Sequence, residues 1–301
     1  MPKQSKPKII VITGPTASGK TSLSIKLAKQ FGGFVISADS RQIYKGLNIG
    51  TAKIEKDEMN EIPHFMIDIV SPKKNYSVAE YAHKVHSIIK NKHKTGIPFI
   101  VGGTGFYIDA VIYNFSLPPV KKNPQLREKL AKKSREELLQ ELKAKDPKRA
   151  KTIDPKNKIR LIRALEIIYT LKKPVPLLKK SSPYEVLMLG IAITREKLRH
   201  NLESRLKEDL RHGLIEEVEN LQNSLSWKRL YELGLEYRYI AEYLKGTISY
   251  EAMKEKIKHE LWHYAKRQMT WFKRDKNIHW IKNQEEAEQC ISVFLNPKDA
   301  S

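Results

Sequence analysis

The chain has 301 residues and a formal net charge of +22, from 56 Lys and Arg against 34 Asp and Glu. It has no run of about 18 apolar residues that would suggest a membrane span, and its one cysteine, Cys290, excludes internal disulfides and a cysteine-rich zinc site. We therefore expect a cytoplasmic protein without a membrane segment, and the charge indicates either a polyanionic partner or an organism whose proteins are generally rich in lysine.

The first predicted element is a buried strand over residues 8–13, which runs into the stretch GPTASGKT at 14–21. This stretch matches the pattern G-x-x-x-x-G-K-[ST] at every fixed position, and a helical pattern follows over residues 20–31. With a strand before it and a helix after it, such a loop surrounds a phosphate with backbone N–H groups, a lysine and a helix N-terminus. The predicted phosphate-binding residues are Gly14, Pro15, Thr16, Ala17, Ser18, Gly19, Lys20 and Thr21.

The same pattern predicts a metal ion. The hydroxyl of Thr21 is placed to coordinate Mg²⁺ that bridges phosphate oxygens. An enzyme that uses a nucleoside triphosphate also needs a carboxylate at the end of a strand, and Asp39 follows a predicted strand at 34–38. Asp39 could instead cap a turn, and for Asp68 in IPHFMID a turn cap is an equal alternative.

Further strands are predicted at 98–102, 185–194 and 277–281, and a helix is predicted at 78–93. Strands that alternate with helices predict an α/β fold, here a parallel sheet of the P-loop NTPase type followed by C-terminal helices. Residues 1–116 and 183–301 are the predicted catalytic core.

Residues 117–182 have helical spacing and no strand signal, which predicts an inserted helical subdomain. Residues 120–182 hold 20 Lys and Arg and 7 Asp and Glu, a net charge of +13. Such an excess of one sign suits contact with RNA phosphates, whereas a solvated helical face usually mixes both signs. The patterns alone leave open a kinase of a nucleotide or metabolite and a non-catalytic RNA-binding P-loop protein.

Several blocks of the chain resemble one family in the same order. The sequence is similar to the tRNA dimethylallyltransferases, also called tRNA isopentenyltransferases. The blocks are GPTASGKT (14–21), ISADSRQIYKGLNIGTAK (36–53), IPHFMID (62–68), FIVGGTGFY (99–107), IRLIRALEI (159–167), RLKEDLRHGLIEEV (205–218) and YAKRQMTWF (264–272). Eukaryotic members add a zinc finger that a chain with one cysteine lacks, so the resemblance is to the bacterial type.

The resemblance implies an enzyme that transfers a dimethylallyl group from dimethylallyl diphosphate to the N6 amine of the adenosine 3′-adjacent to the anticodon. The loop would then hold the donor's diphosphate with Mg²⁺. Asp39 is implied as the group that accepts the amine's hydrogen, Thr16 as a contact to the reacting groups, and Arg205 as a diphosphate ligand. Spacing alone favours a helix-surface role for Arg205.

The implied partner is the anticodon stem-loop of tRNA, whose target base must leave the stack to react. The implied tRNA contacts are Asp39, Ser40, Arg41, Gln42, Thr104, Asn123, Ile159, Arg160, Leu161, Ile162 and Arg163. Arg160 and Arg163 share a helical face, which suits phosphates or, alternatively, solvent. The stretch GLEYRY (234–239) departs from the family pattern, and Phe65 stands where a second histidine is common. We expect a monomer.

Overall fold

The computed structural model describes residues 6–115, 118–176 and 181–296. The chain divides into two compact units, a core unit of Met1–Asn114 with Ser182–Ser301 and a helical unit of Phe115–Ser181. The sequence-based boundary at residue 117 lies outside the described residues, and the one at 182 is the first residue of the core unit's second segment.

The core unit contains a parallel sheet, as predicted. Within the described residues its strands are β1 (Lys8–Thr13), β2 (Gly33–Ser37), β3 (His64–Phe65), β4 (Ile97–Gly102), β5 (Glu185–Ile191) and β6 (Ile278–Ile281). Their order across the sheet is β3-β2-β4-β1-β5-β6, and every pairing is parallel. Strand β3 was not predicted, because two residues are too few to show alternation. Strand β5 ends at Ile191, three residues before the predicted end.

Between and after the strands the described chain forms helices joined by loops, and the predicted C-terminal helices are confirmed. The helices are α1 (Lys20–Gln30), α2 (Val78–Lys92), α3 (Gly105–Ile112), α4 (Pro124–Ala131), α5 (Arg135–Lys145), α6 (Pro147–Thr152), α7 (Lys158–Leu171), α8 (Arg195–Arg211), α9 (Leu214–Gln222), α10 (Trp227–Leu233), α11 (Leu235–Leu244), α12 (Tyr250–Phe272) and α13 (Gln284–Leu295). In the part of the chain that is described, none of them is long and apolar enough to cross a membrane.

Strand β1 lies at the centre of the sheet, between β4 and β5. Residues 9–12, Ile-Ile-Val-Ile, are 0% exposed because the strand is covered on both faces. This explains why the run is continuously apolar instead of alternating. The carboxyl ends of β1, β2 and β4 meet at one edge, where the loop after β1 begins.

A second core lies in the C-terminal helices of the core unit. Leu206 of α8, Tyr237 of α11 and Ile257 of α12 pack in one cluster with Ile43 and Leu47, which follow β2. Apolar contact therefore fixes these helices against the segment that carries Asp39, and it brings polar side chains of α8, α11 and α12 towards the sheet's carboxyl edge.

The helical unit has a core of its own. Buried leucines from α5 and α7, among them Leu138, Leu142, Leu161 and Leu165, pack together. Ser134 closes a capping box at the start of α5, and the side chain of Asn157 caps α7. The inserted helical subdomain predicted as part of the fold class is confirmed.

Candidate active site

The loop after β1 has the backbone of an anion-binding site. Gly14, Ala17 and Gly19 have positive φ angles of 151°, 60° and 86°, which turn successive peptide N–H groups to one side. Helix α1 begins at Lys20, and its N-cap Gly19 makes no side-chain capping hydrogen bond. Ser18 Oγ is buried without a hydrogen-bond partner among the described residues. The loop therefore presents donors that an anion would satisfy.

Lys20 lies inside this loop. Its Nζ donates to the carbonyl oxygen of Pro15 at 2.6 Å. Burial lowers the pKa of Lys20 to about 8; the nearby Asp39 opposes this shift, and the positive charge of Arg205 adds to it. Lys20 and Arg205 thus bring two positive charges close together at the loop, and a bound anion would stabilise both.

A glutamine from α12 anchors the loop. Gln268 is 5% exposed; its Oε1 accepts from the Thr16 N–H at 2.8 Å, and its Nε2 donates to the carbonyl of Gly103 at 3.0 Å. A Cβ atom on Gly103 would lie 2.0 Å from Gln268 Nε2, so any other residue here would displace the Gln268 side chain. Sequence reasoning assigned no role to Gln268, although it lies in the YAKRQMTWF block.

Arg205 of α8 also reaches the loop. Its guanidinium donates to Thr16 Oγ1 at 2.9 Å and to the carbonyl of Gly50 at 3.3 Å, and it pairs with Asp209 at 3.2 Å. The interpretation from spacing, an arginine on the helix surface, is therefore wrong for this residue. Asn201, one helical turn earlier, donates to the carbonyl of Ala17 at 2.8 Å.

Asp39 lies two residues after the end of β2, and its carboxylate is hydrogen-bonded to the backbone. Oδ1 accepts from the N–H groups of Arg41 at 2.7 Å and Gln42 at 3.3 Å. This is the turn-capping role that the sequence left open, and the same side chain also lines the cleft above the loop. Asp68, the other candidate carboxylate, is 45% exposed and pairs with Lys53 at 2.6 Å.

The cleft has a free volume of about 440 Å³. The polar residues that line it are the loop with Asp39, Gln42, Arg205 and Gln268, and the apolar ones include Ile25, Val35, Ile54 and Val101. It therefore suits an anion joined to a small apolar group.

The structure brings together the predicted RNA contacts of the core unit. Thr104 Oγ1 accepts from the N–H of Ser40 at 3.1 Å. Gln42 accepts from Ser37 Oγ at 3.0 Å and donates to the carbonyls of Thr51 and Ala52. The carboxyl ends of β2 and β4 thus place these side chains beside Asp39.

The predicted contacts of the helical unit divide by exposure. Ile159 is 76% exposed and Leu161 is 0% exposed, while Arg160 is exposed and Ile162 is half-buried. Leu161 belongs to the core of the helical unit, so its side chain is not a surface available to RNA. Asn123 Oδ1 accepts from the N–H of Leu126 at 3.0 Å, which makes it the N-cap of α4.

Arg163 does not share the surroundings of Arg160. Its guanidinium donates to Glu166 at 2.6 Å and to the carbonyl of Val120 at 2.9 Å. Arg127 binds both oxygens of Glu166, at 2.8 and 2.7 Å. Burial alone would raise the pKa of Glu166, but hydrogen bonds from Arg127, the Asn123 N–H and Arg163 lower it to about 2. Arg163 therefore forms an ion cluster with Arg127 and the buried carboxylate of Glu166.

A parallel sheet whose central strand leads into this loop, with a lysine, an arginine and a carboxylate around one cleft, defines a P-loop α/β protein with a site suited to a phosphorylated ligand. Residues 42–275 match the family model described as IPP transferase. The chain belongs to this family, the tRNA dimethylallyltransferases, and the resemblance given by its sequence blocks is confirmed.

Two curated relatives show the extent of the match. The tRNA dimethylallyltransferase of Pelotomaculum thermopropionicum is 42% identical over 289 residues, covering 93% of this chain and 92% of the relative. That of Thermoanaerobacter sp. strain X514 is 41% identical over 311 residues, covering 97% and 98%. The alignments thus extend over nearly all of both chains.

Solved structures agree with these relatives. The full-length tRNA isopentenylpyrophosphate transferase of Bacillus halodurans has a TM-score of 0.71 and 35% identity, covering 98% of this chain and 99% of that one. A eukaryotic dimethylallyltransferase acting on tRNA has a TM-score of 0.74 and 27% identity, covering 88% and 69%. Family membership favours a transferase over the kinase and the non-catalytic RNA-binding protein.

Proposed function

We propose that this protein transfers the dimethylallyl group of dimethylallyl diphosphate to the N6 amine of the adenosine 3′-adjacent to the anticodon in tRNA. The observation that carries the proposal is the contact of Arg205 with Thr16 inside the phosphate loop, in the cleft that Asp39 also lines. One cleft thus offers cations for a leaving diphosphate and a carboxylate for an amine.

In the proposed reaction the bond between the allylic carbon and the diphosphate oxygen breaks, and its electron pair leaves with the diphosphate. A bond forms between the same carbon and N6, and the amine proton passes to Asp39. Lys20 and Arg205 stabilise the negative charge on the departing oxygens. Apolar residues that line the cleft, among them Ile54 and Val101, suit the five-carbon group of the donor.

The loop fits a magnesium ion that arrives with the donor. Among the described residues no group of three or more His, Cys, Asp or Glu side chains is arranged to hold a metal. Few protein side chains would therefore coordinate the magnesium ion. The exposed hydroxyl of Thr21, the residue after Lys20, would hold Mg²⁺ together with diphosphate oxygens. The ion would supply charge neutralisation to the leaving group.

For the partner, we propose the anticodon stem-loop, with the target base turned out of its stack into the cleft. Support comes from the accessible side chains of Ile159 and Arg160 and from the net charge of +13 in residues 120–182. The protein would act as a monomer in the cytoplasm.

The experiment is a transfer assay with purified protein, Mg²⁺, unmodified tRNA and labelled dimethylallyl diphosphate, with label in the RNA as the readout. We expect label in tRNA that is lost when the adenosine after the anticodon is replaced. A parallel reaction contains γ-labelled ATP instead of the prenyl donor. Transfer of label from ATP to a small acceptor, without prenyl transfer, would overturn the proposal in favour of a kinase.

A further inference from the structure

Glu236 is a buried carboxylate for which the proposed reaction has no role. It is the second residue of α11 and is 2% exposed. It follows Gly234 and Leu235, whose φ angles of 71° and 46° are both in the left-handed region. Its Oε2 is buried without a hydrogen-bond partner in the described chain. Because a buried carboxylate oxygen without a hydrogen-bond partner is costly, its presence points to a function.

Glu236 borders a small cavity beside the cleft. The cavity has a volume of about 30 Å³ and is also bordered by Asp39, Arg205 and Tyr264. A volume of ~10–15 Å³ is enough for one water molecule, so the cavity has room for one or two. Four residues border both the cavity and the cleft: Thr16, Asp39, Thr51 and Arg205. Water in the cavity would therefore lie between Glu236 and the side chain that faces the acceptor.

We propose that Glu236 is the second proton acceptor of this site and receives, through water in the cavity, the proton that Asp39 takes from the acceptor amine. The inference rests on the proposed function. The proton leaves N6 for an oxygen of Asp39, a water takes it and passes its own proton to Glu236, and Asp39 returns to the carboxylate form. After product release Glu236 loses the proton to solvent, so that no oxidant or further reactant is needed.

The charges around Glu236 suit this role. Burial raises the pKa of Glu236 to about 7; Arg205 and Arg41 oppose the shift, and Asp209 adds to it. A carboxylate in water has a pKa of about 4, so Glu236 holds a proton more firmly than an ordinary carboxylate does. Slightly above neutral pH the Glu236 carboxylate is still largely ionised, and in that form it can accept a proton.

The remaining titratable groups at the cavity do not compete for the proton. Burial raises the pKa of the Tyr237 and Tyr264 hydroxyls, which therefore stay protonated. The hydroxyl of Tyr237 already donates to Glu217 at 2.8 Å. Among the groups that border the cavity, only the carboxylates of Asp39 and Glu236 are left to accept a proton.

The test is the rate of single-turnover prenyl transfer between about pH 5.5 and 8.5, with enzyme in excess over labelled tRNA and donor saturating. The proton acceptor must be ionised, so we expect the wild-type rate to rise with pH through about 7. Glu236→Gln should be at least roughly tenfold slower at pH 8 and should lose this pH dependence, while its affinity for tRNA and diphosphate changes little. Glu236→Asp should restore part of the rate.

The matched control is Glu242→Gln on the same helix, whose carboxylate pairs with Lys256 at 3.2 Å and should leave the profile unchanged. No transfer by the wild type would refute the proposed function itself. A wild type that transfers, with a Glu236→Gln variant of equal rate and profile, would overturn only the proton relay. If Glu236→Gln does not fold, a wild-type rate that is flat between about pH 6 and 8 overturns the relay.

Discussion

At the scale of single residues, Asp39 combines two tasks. Its Oδ1 accepts backbone hydrogen bonds from Arg41 and Gln42, so it shapes the turn that carries the predicted RNA contacts. Its carboxylate also lines the cleft. An alanine variant would disturb both tasks at once, whereas asparagine keeps an acceptor oxygen for the turn and removes the charge and the basicity.

We therefore expect Asp39→Asn to lower the single-turnover rate of prenyl transfer by about 100-fold or more, the usual size of a general-base effect. Binding of tRNA should change by less than about threefold, because the turn is preserved. The measurement is rapid-quench transfer together with filter binding. Asp68→Asn, at an exposed carboxylate, is the control. Normal turnover in Asp39→Asn would show that the carboxylate has only the structural task.

Gln268 takes no part in the proposed reaction, but its hydrogen bonds hold the phosphate loop in place. Gln268→Met keeps the length of the side chain and loses both hydrogen bonds, to Thr16 and Gly103. We expect the dissociation constant for the diphosphate donor to rise roughly tenfold, which corresponds to the loss of one or two hydrogen bonds at about 1 kcal/mol each. Calorimetric titration with the donor measures it. Gln289→Met, at an exposed site on α13, should bind normally, and equal loss in both variants would contradict the anchoring role.

At the scale of elements, α7 has two distinct parts. Its first turn carries the exposed Ile159 and Arg160, while its middle carries Glu166, whose side chain is 0% exposed. Side chains three positions apart, such as Arg160 and Arg163, therefore have different surroundings. Mutations along this one helix should separate RNA binding from stability.

Arg160→Ala should weaken tRNA binding and reduce the slope of log K against log salt by about 1, since one phosphate contact is lost. The melting temperature should not change. Arg163→Ala should instead lower the melting temperature, because it removes a hydrogen bond from buried Glu166. Salt titrations by filter binding and thermal unfolding followed by circular dichroism distinguish the two. Arg135→Ala, exposed on α5, is the control; an unchanged slope for Arg160→Ala would mean that Arg160 faces solvent in the complex.

Glu166 makes the stability of the helical unit depend on pH. Its pKa is lowered to about 2 in the folded chain, against about 4.3 when unfolded. Its ionised form therefore stabilises the fold fully above the unfolded value, on the order of 3 kcal/mol, and this contribution is lost as pH falls towards 2.

Glu166→Gln should lower the free energy of unfolding at pH 7 and flatten its decline between about pH 4.5 and 2. Urea unfolding at several pH values measures both effects. Glu128→Gln, at an exposed glutamate of the neighbouring α4, should behave as wild type. If the free energy of unfolding depended on pH equally in Glu166→Gln and in wild type, a group other than Glu166 would be responsible for the loss of stability in acid.

At the scale of the whole molecule, the site takes one side chain or loop from each of several distant segments. Local patterns predicted the phosphate loop, the parallel sheet and the helical insertion, because a strand followed by a glycine loop, or an unbroken helical spacing, is visible in a short window. The contact of Arg205 with the loop was implied only by resemblance, since its spacing is that of any helical arginine.

Other features depend on tertiary contacts between segments that are far apart in sequence, so a short stretch of sequence does not reveal them. The hydrogen-bond partners of Gln268 lie 252 and 165 positions away in sequence. The cavity beside Glu236 is formed by segments as far apart as Thr16, Asp39, Arg205 and Tyr264. Strand β3 exists because β2 is there to pair with it. Leu161 was included with the RNA contacts because the family resemblance implied the whole block 159–163, and only the packing of α5 against α7 shows that it is buried.

The hydrogen bond between Thr16 and Gln268 joins residues 252 positions apart. During synthesis the phosphate loop is therefore made first, and its anchor follows only after α12 has been translated. A nascent chain has the loop but not the bond that fixes it, nor Arg205 until α8 has emerged. The phosphate loop therefore reaches its anchored form only when translation is nearly complete.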